Sequence, residues 1–140
     1  MTDHGTLHLA TPGDTGLRFE ARFASGRTTT FDSGADAAAP NPVEHLIASL
    51  AACEAMDVVS ILRKQRSVVT AYEVGMAGER AAAAPRRFTA IELTHRLSGP
   101  ALSAEAVERA LELSRTRYCS VLHTLDPGLR LTQRVEVREG

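Results

Sequence analysis

The stretch NPVEHLIASLAACEAMDVVSILRKQ, residues 41–65, predicts the long helix that decides the fold. Asn41 suits the N-cap, Pro42 the first helical position and Glu44 the third position after the cap, as in a capping box. Beyond the first turn, apolar or small residues cover most of the circumference, which predicts a helix buried on nearly all sides. One thin sheet cannot enclose such a helix, so the sequence predicts an obligate homodimer with a shared core.

Composition and charge narrow the class of protein. A length of 140 residues predicts one domain spanning 1–140. The 16 Lys plus Arg residues are balanced by 17 Asp plus Glu, so the sequence lacks the clustered positive charge that binding to nucleic acid requires. The N-terminal residues lack a basic region followed by an apolar one, and Glu54 and Asp57 interrupt the longest apolar stretch. We therefore expect a cytoplasmic protein with no nucleic-acid partner and no membrane span.

Apolar periodicity gives the order of the elements. Alternating patterns predict strands at 6–10, 16–23, 27–32, 68–80, 88–99 and 129–137. Ser103 predicts the cap of a second helix, and YCSVLHTL (118–125) a short apolar segment that carries Cys119. The order β-β-β-α-β-β-α-(α)-β predicts an α+β fold with mainly antiparallel sheet.

One narrow face of the long helix is polar or small. Its members follow roughly i, i+4 spacing: His45, Ser49, Cys53, Asp57 and Ser60. Cys53 is therefore either a packing residue or a nucleophile, and the Asp57 carboxylate disfavours a thiolate unless a cation lies near. Glu44 precedes Cys53 by nine residues, on the opposite face, which favours its capping role. In the cytoplasm a disulfide between two cysteines is usually transient and redox-active.

Two other chemistries use the same cysteines. Cys53, Cys119 and His123 supply ligand types for a zinc site. Alternatively, either cysteine with His123 and Asp126 provides the residues of a cysteine hydrolase. Phosphate-binding glycine loops and dinucleotide fingerprints are absent from the sequence.

Several motifs together resemble the OsmC/Ohr family, which comprises osmotically inducible protein C, the organic hydroperoxide resistance proteins and their relatives. The resemblance covers roughly residues 16–138. It is carried by P-x-E-x-L at 42–46, AAC at 51–53, MDVVSILRK at 56–64, Pro85 and Phe88 at the strand FTAIEL, RALELSRTRYCSVLHTL at 109–125 and LTQRVEV at 131–137.

The resemblance implies a single OsmC-like domain in an intertwined homodimer, with sheets from both chains wrapped around two long central helices. It further implies a thiol-dependent peroxidase acting on organic hydroperoxides or hydrogen peroxide, with no metal or cofactor. Cys53 is then the peroxidatic cysteine, Cys119 the resolving cysteine, and an external dithiol or lipoyl-type reductant restores both thiols.

The resemblance also points to groups that activate the thiolate. Hydroperoxide resistance proteins use a glutamate directly after Asn-Pro and an arginine near the N-terminus. Here Val43 intervenes, the acidic residue is Glu44, and the arginine is Arg18 or Arg27, with Arg22 in the same region. The pattern is closer to the OsmC-like branch, for which the alternative function is a non-catalytic stress protein or small-ligand-binding protein with structural cysteines.

Overall fold

Six strands, three α-helices and one π-helical turn form from the described residues, 1–13 and 15–138 of a computed structural model. The predicted order of elements is confirmed. Spatial proximity groups the chain into two compact units, Met1–Leu46 and Ile47–Gly140. The prediction of one domain over residues 1–140 is not tested by this grouping, and positions 14, 139 and 140 lie outside the described residues.

The first unit contains an antiparallel sheet of β1 (Gly5–Leu9), β2 (Arg18–Phe23) and β3 (Thr28–Asp32), in that order. Asp32 ends β3 and organises the loop after it. Its carboxylate accepts hydrogen bonds from the backbone of Gly34 and Ala38 and from Arg18 Nε at 3.2 Å. These donors, the backbone groups first, hold the pKa of Asp32 below its ordinary value.

The long helix is α1, Pro42–Lys64, and its capping box is confirmed. Glu44 N donates to Asn41 Oδ1 at 2.9 Å, and Asn41 N donates to Glu44 Oε1 at 3.0 Å. His45 Nε2 donates to the carbonyl of Thr30 at 2.8 Å, which attaches the first turn to β3.

Burial of α1 on nearly all sides is not found within one chain. Its buried residues lie on a single face: Leu50, Ala51, Glu54, Val58 and Leu62. Elsewhere the helix is exposed or half-buried, and the side chain of Met56 is 71% exposed. The homodimer that would cover these faces stays a prediction.

By length and composition alone, α1 is also long and apolar enough to cross a membrane. Core helices of globular proteins meet the same criterion. In this chain the two mid-helix carboxylates have polar partners, Gln133 for Glu54 and Ser114 for Asp57. The absence of a membrane span stays a prediction.

The second unit contains a mixed sheet of β4 (Ala71–Arg80), β5 (Phe88–Ser98) and β6 (Arg130–Arg138). Strands β4 and β5 are antiparallel, whereas β5 and β6 are parallel. Among the described residues three of the four strand pairings are antiparallel, so the expectation of a mainly antiparallel sheet is confirmed, with one parallel edge that it did not include. The helical connection between β5 and β6 explains the difference, because such a crossover carries the chain from the end of β5 back to the side of the sheet where β5 began, so that β6 runs in the same direction.

That crossover consists of α2 (Ala104–Leu113), the π segment (Ser114–Tyr118) and α3 (Ser120–Thr124). Ser103 caps α2 as predicted, accepting a hydrogen bond from Ala106 N at 3.1 Å.

Two apolar clusters fill the second unit. One joins the C-terminal half of α1 to α2 and the end of β5: Val58, Leu62, Leu97, Leu102, Val107, Ala110 and Leu111. The other surrounds a cysteine: Leu50, Ala51, Ile91, Leu93 and Cys119. The alternate residues of β5 that pack into both clusters are those that the period-two pattern predicts to face inward.

Candidate functional site

The two cysteines, 66 positions apart in the chain, are neighbours in the structure. Cys53 is half-buried on α1 and packs against the apolar cluster that contains Cys119. Cys53 also contributes to raising the pKa of the Cys119 thiol, and both thiols are free. The site is therefore a reduced dithiol with one accessible and one buried sulfur.

Cys119 owes its position to the break between two helical segments. Its backbone is extended (φ −71°, ψ 98°), and its N–H donates to Ser114 O at 2.8 Å, which closes the π segment. As the N-cap of α3, its sulfur accepts a hydrogen bond from Leu122 N at 3.3 Å. Ser114 in turn donates to Asp57 Oδ2 at 2.8 Å, which ties the segment to α1 one turn beyond Cys53.

Burial keeps Cys119 in its thiol form. Its side chain is 0% exposed, and loss of solvation raises its pKa from 9.0 to about 12. The Leu122 N–H opposes this rise, while the hydrogen bond and charge of Cys53, and the charge of Glu54, add to it. Of the two cysteines, Cys53 is the one with solvent access, and it packs against the cluster that contains the buried thiol.

A buried polar network lies beside the dithiol. Glu54 follows Cys53 on the buried face of α1, and both Glu54 and His95 are 0% exposed. Gln133 Nε2 donates to Glu54 Oε2, and His95 Nε2 lies 3.7 Å from the same oxygen. On the other side of the ring, the Tyr72 hydroxyl lies 2.7 Å from His95 Nδ1.

Protonation states in this network follow from its geometry. Burial, together with the charge of Glu54, raises the pKa of Tyr72, so the phenol keeps its proton and donates to His95 Nδ1. We therefore assign the ring proton of His95 to Nε2, which faces the Glu54 carboxylate. Glu54 Oε1 and His95 Nε2 have no hydrogen-bond partner among the described residues. Unpaired buried polar atoms are uncommon and often mark chemistry.

Sequence reasoning missed this network, although a signal was present. His95 and Gln133 occupy inward positions in the alternating patterns of β5 and β6, where their neighbours are apolar. Glu54 stands four residues after Leu50, on the same apolar face of α1. A polar residue at each of three core positions predicts a buried network, because lone buried polar groups are destabilising.

The other predicted site residues lie in the first unit. Glu44 is the capping residue described above, and Arg18 pairs with Asp32. Arg22 Nε donates to Glu20 Oε1 at 2.8 Å, and the backbone of Arg27 donates to Ser25 Oγ. A role for Glu44, Arg18 or Arg27 in activating Cys53 stays a prediction.

His123 and Asp126 serve local structure. His123 Nδ1 donates to the Cys119 carbonyl at 2.8 Å, and Asp126 Oδ1 accepts from Gly128 N at 2.7 Å in the turn before β6. Neither hydrogen bond builds the Cys-His-Asp relay of the hydrolase alternative. Within residues 1–13 and 15–138, no group of three or more His, Cys, Asp or Glu side chains is arranged to hold a metal ion.

An apolar groove runs between α1 and β4. Its walls include Met56, Val59, Tyr72 and Val74, and the basic pair Arg63 and Lys64 lies at one end. Tyr72 thus connects the groove surface to the buried network through its hydroxyl group.

The fold and site define an α+β protein whose long helix places an accessible thiol beside a buried one. A model of the OsmC-like protein family matches residues 34–134, and the chain belongs to this family. Protein YhfA of Escherichia coli K12 is 40% identical over 122 residues, covering 87% of this chain and 91% of YhfA.

Solved structures agree on the fold. A hypothetical protein from Aquifex aeolicus has a TM-score of 0.86 at 26% identity, covering 100% of this chain and 98% of that one. The organic hydroperoxide resistance protein OhrB of Bacillus subtilis has a TM-score of 0.62 at 14% identity, covering 97% and 98%. The second likeness concerns the fold alone.

Proposed function

We propose that this protein is a thiol peroxidase that reduces organic hydroperoxides, or hydrogen peroxide, through Cys53 and Cys119. The observation that carries the proposal is the pairing of an accessible sulfur with a fully buried one across 66 residues of sequence. A dithiol of this kind supports a two-step oxidation. The accessible sulfur meets the peroxide, and the buried one captures the product of that reaction.

In the first step the Cys53 thiolate attacks one oxygen of the hydroperoxide. The O–O bond breaks, Cys53 becomes a sulfenic acid, and the second oxygen takes a proton and leaves as an alcohol, or as water from hydrogen peroxide. Cys119 is unsuited to this step, because a pKa of about 12 leaves almost no thiolate at neutral pH.

In the second step Cys119 attacks the sulfenic sulfur. A Cys53–Cys119 disulfide forms and water leaves. An external dithiol or lipoyl-type reductant then reduces the disulfide by exchange, so the cycle uses no metal or organic cofactor. Glu44 with Arg18 or Arg27 would favour the Cys53 thiolate.

Family membership is compatible with this reaction class but does not specify it. Some structures with this fold carry the name organic hydroperoxide resistance protein, and these share 14% identity with the chain. The name of YhfA, at 40% identity, specifies no activity. The support for a peroxidase therefore comes from the arrangement of the two thiols.

A homodimer in the cytoplasm is part of the proposal. The apolar groove beside α1 and the exposed Met56 would be covered by a second copy, which would stabilise the dimer through loss of apolar surface to water. Light scattering after size-exclusion chromatography is expected to give twice the mass of one chain. A stable monomer would contradict this part of the proposal.

A thiol titration with and without cumene hydroperoxide tests the peroxidase reaction. The wild type is expected to lose both thiols and, with a dithiol reductant, to consume peroxide repeatedly. Cys53→Ser should show no fast consumption. Cys119→Ser should react once and accumulate a sulfenic acid that dimedone traps. If the wild type keeps two free thiols in excess peroxide, the proposal fails and the non-catalytic, ligand-binding alternative takes its place.

A further inference from the structure

Glu54 is a buried carboxylate that the peroxidase scheme above does not use. It is 0% exposed and lies on the same face of α1 as Leu50 and Ala51, the residues against which Cys119 packs. One helical turn separates Leu50 from Glu54, so the carboxylate and the buried thiol share one side of the helix.

The two carboxylate oxygens of Glu54 have different surroundings. Oε2 accepts a hydrogen bond from Gln133 and faces His95 Nε2 at 3.7 Å, whereas Oε1 has no partner among the described residues. His95 is itself held by the Tyr72 hydroxyl. The network thus fixes the carboxylate through one oxygen and leaves the other available to accept a proton.

Cys119 needs such an acceptor. Its sulfur is 0% exposed, so bulk water does not reach the S–H group to remove its proton. Glu54 lies on the face of α1 whose residues Leu50 and Ala51 share a cluster with Cys119, and its charge contributes to raising the pKa of this thiol. Before the reaction, the negative charge of Glu54 disfavours the Cys119 thiolate. Once the Cys119 sulfur begins to bond to Cys53, the same carboxylate can act as the general base that accepts the thiol proton.

We propose that Glu54 accepts the proton of Cys119 as that residue forms its disulfide with Cys53. The inference deepens the second step of the proposed function and rests on it for the oxidant. The Cys119 lone pair forms the S–S bond, the S–O bond of the Cys53 sulfenic acid breaks, and the proton passes to Glu54. Glu54 then returns it to the departing hydroxide, which leaves as water.

A peroxide-free experiment isolates this step. Dithionitrobenzoate converts the accessible Cys53 into a mixed disulfide with thionitrobenzoate. Attack by Cys119 then forms the internal disulfide and releases a second thionitrobenzoate ion, whose absorbance gives the rate. In Glu54→Gln, which keeps the shape of the side chain and an acceptor for Gln133, we expect this second release to slow about 100-fold at neutral pH.

The pH profile separates a proton acceptor from a merely structural residue. In the wild type the second release should vary little across neutral pH, because Glu54 takes the proton. In Glu54→Gln the rate should rise about tenfold per pH unit, because it then depends on the rare Cys119 thiolate. Glu54→Asp keeps a carboxylate and should show an intermediate rate with the flat wild-type profile.

Glu92→Gln is the matched control. Glu92 lies on β5 and pairs with Arg134 at 3.5 Å on exposed surface, so its loss should leave the second release unchanged. Thermal unfolding monitors the folding of each variant, and Glu54→Asp carries the test should Glu54→Gln not fold.

Three results would overturn the inference: a wild-type rate in Glu54→Gln, equal slowing of that variant at every pH, or no second release from the wild type. Failure of the proposed function has a different signature. In that case the wild type ignores cumene hydroperoxide, while Glu54→Gln still slows the exchange driven by dithionitrobenzoate.

Discussion

The two thiols should differ sharply in their reactivity towards an alkylating agent. Iodoacetamide reacts with thiolates, so its rate follows the ionised fraction of each cysteine and its exposure. Burial raises the pKa of Cys119 from 9.0 to about 12, which lowers its ionised fraction at pH 8 about a thousandfold. The side chain is also 0% exposed, which slows the reaction further.

The expected result in the reduced native protein is one fast-reacting thiol. Intact mass spectrometry should show rapid addition of a single label, and peptide mapping should place it on Cys53. Addition to Cys119 should be at least about a thousandfold slower at pH 8 than in guanidinium, where the thiol recovers its ordinary pKa.

A pH series and one variant sharpen the test. Labelling of Cys119 in the native chain should accelerate about tenfold per pH unit towards its pKa of about 12. In Cys53→Ala the rate should increase, because the hydrogen bond and charge of Cys53 both raise the pKa of Cys119. Equal labelling of the two cysteines in the native state at pH 8 would refute the assignment of Cys119 as the buried, protonated thiol.

Three further predictions concern stability, each measured by urea unfolding. Gly99→Ala should destabilise the protein by about 1–3 kcal/mol, because the new Cβ would collide with the backbone carbonyl of Val68. Gly128→Ala is the control and should have a smaller effect, because its Cβ would approach only the flexible side chain of Asp126. Ser103→Ala should cost about 1 kcal/mol through loss of the N-cap of α2, and an unchanged midpoint would contradict that assignment. Folding lowers the pKa of Asp32, so this carboxylate stabilises the folded state above about pH 4, and the stabilisation is lost as the pH falls through the pKa of the folded state. Asp32→Asn should therefore weaken the dependence of the free energy of unfolding on pH in the acid range. The same pH dependence in the variant and the wild type would refute this role of Asp32.

Local signals in the sequence predicted the elements well. The capping box at Asn41 and Glu44, the N-cap at Ser103 and the alternating patterns of β5 and β6 each act within a few residues. Their physical causes, backbone hydrogen bonding and the facing of side chains, are short-range, so the order of strands and helices could be read directly. The importance of Cys53 and Cys119 came from the family resemblance.

The parallel pairing of β5 with β6 was not predicted. Alternation shows which residues of a strand face the core, but it gives neither the neighbouring strand nor its direction. The helical crossover from α2 to α3 contained the missing information, since a connection long enough to cross the sheet and re-enter it where the previous strand began adds a parallel strand.

By itself, then, the sequence determined the long helix, the order of the elements, the apolar faces and the two candidate thiols. Only the tertiary structure decided that Cys119 is fully buried beside Cys53 and that Glu54, His95, Tyr72 and Gln133 form one network next to them. The physical reason is that burial and charge act through space. A helix position fixes the face on which Glu54 lies, but its partners come from strands 41 and 79 residues away and meet it only when the core packs.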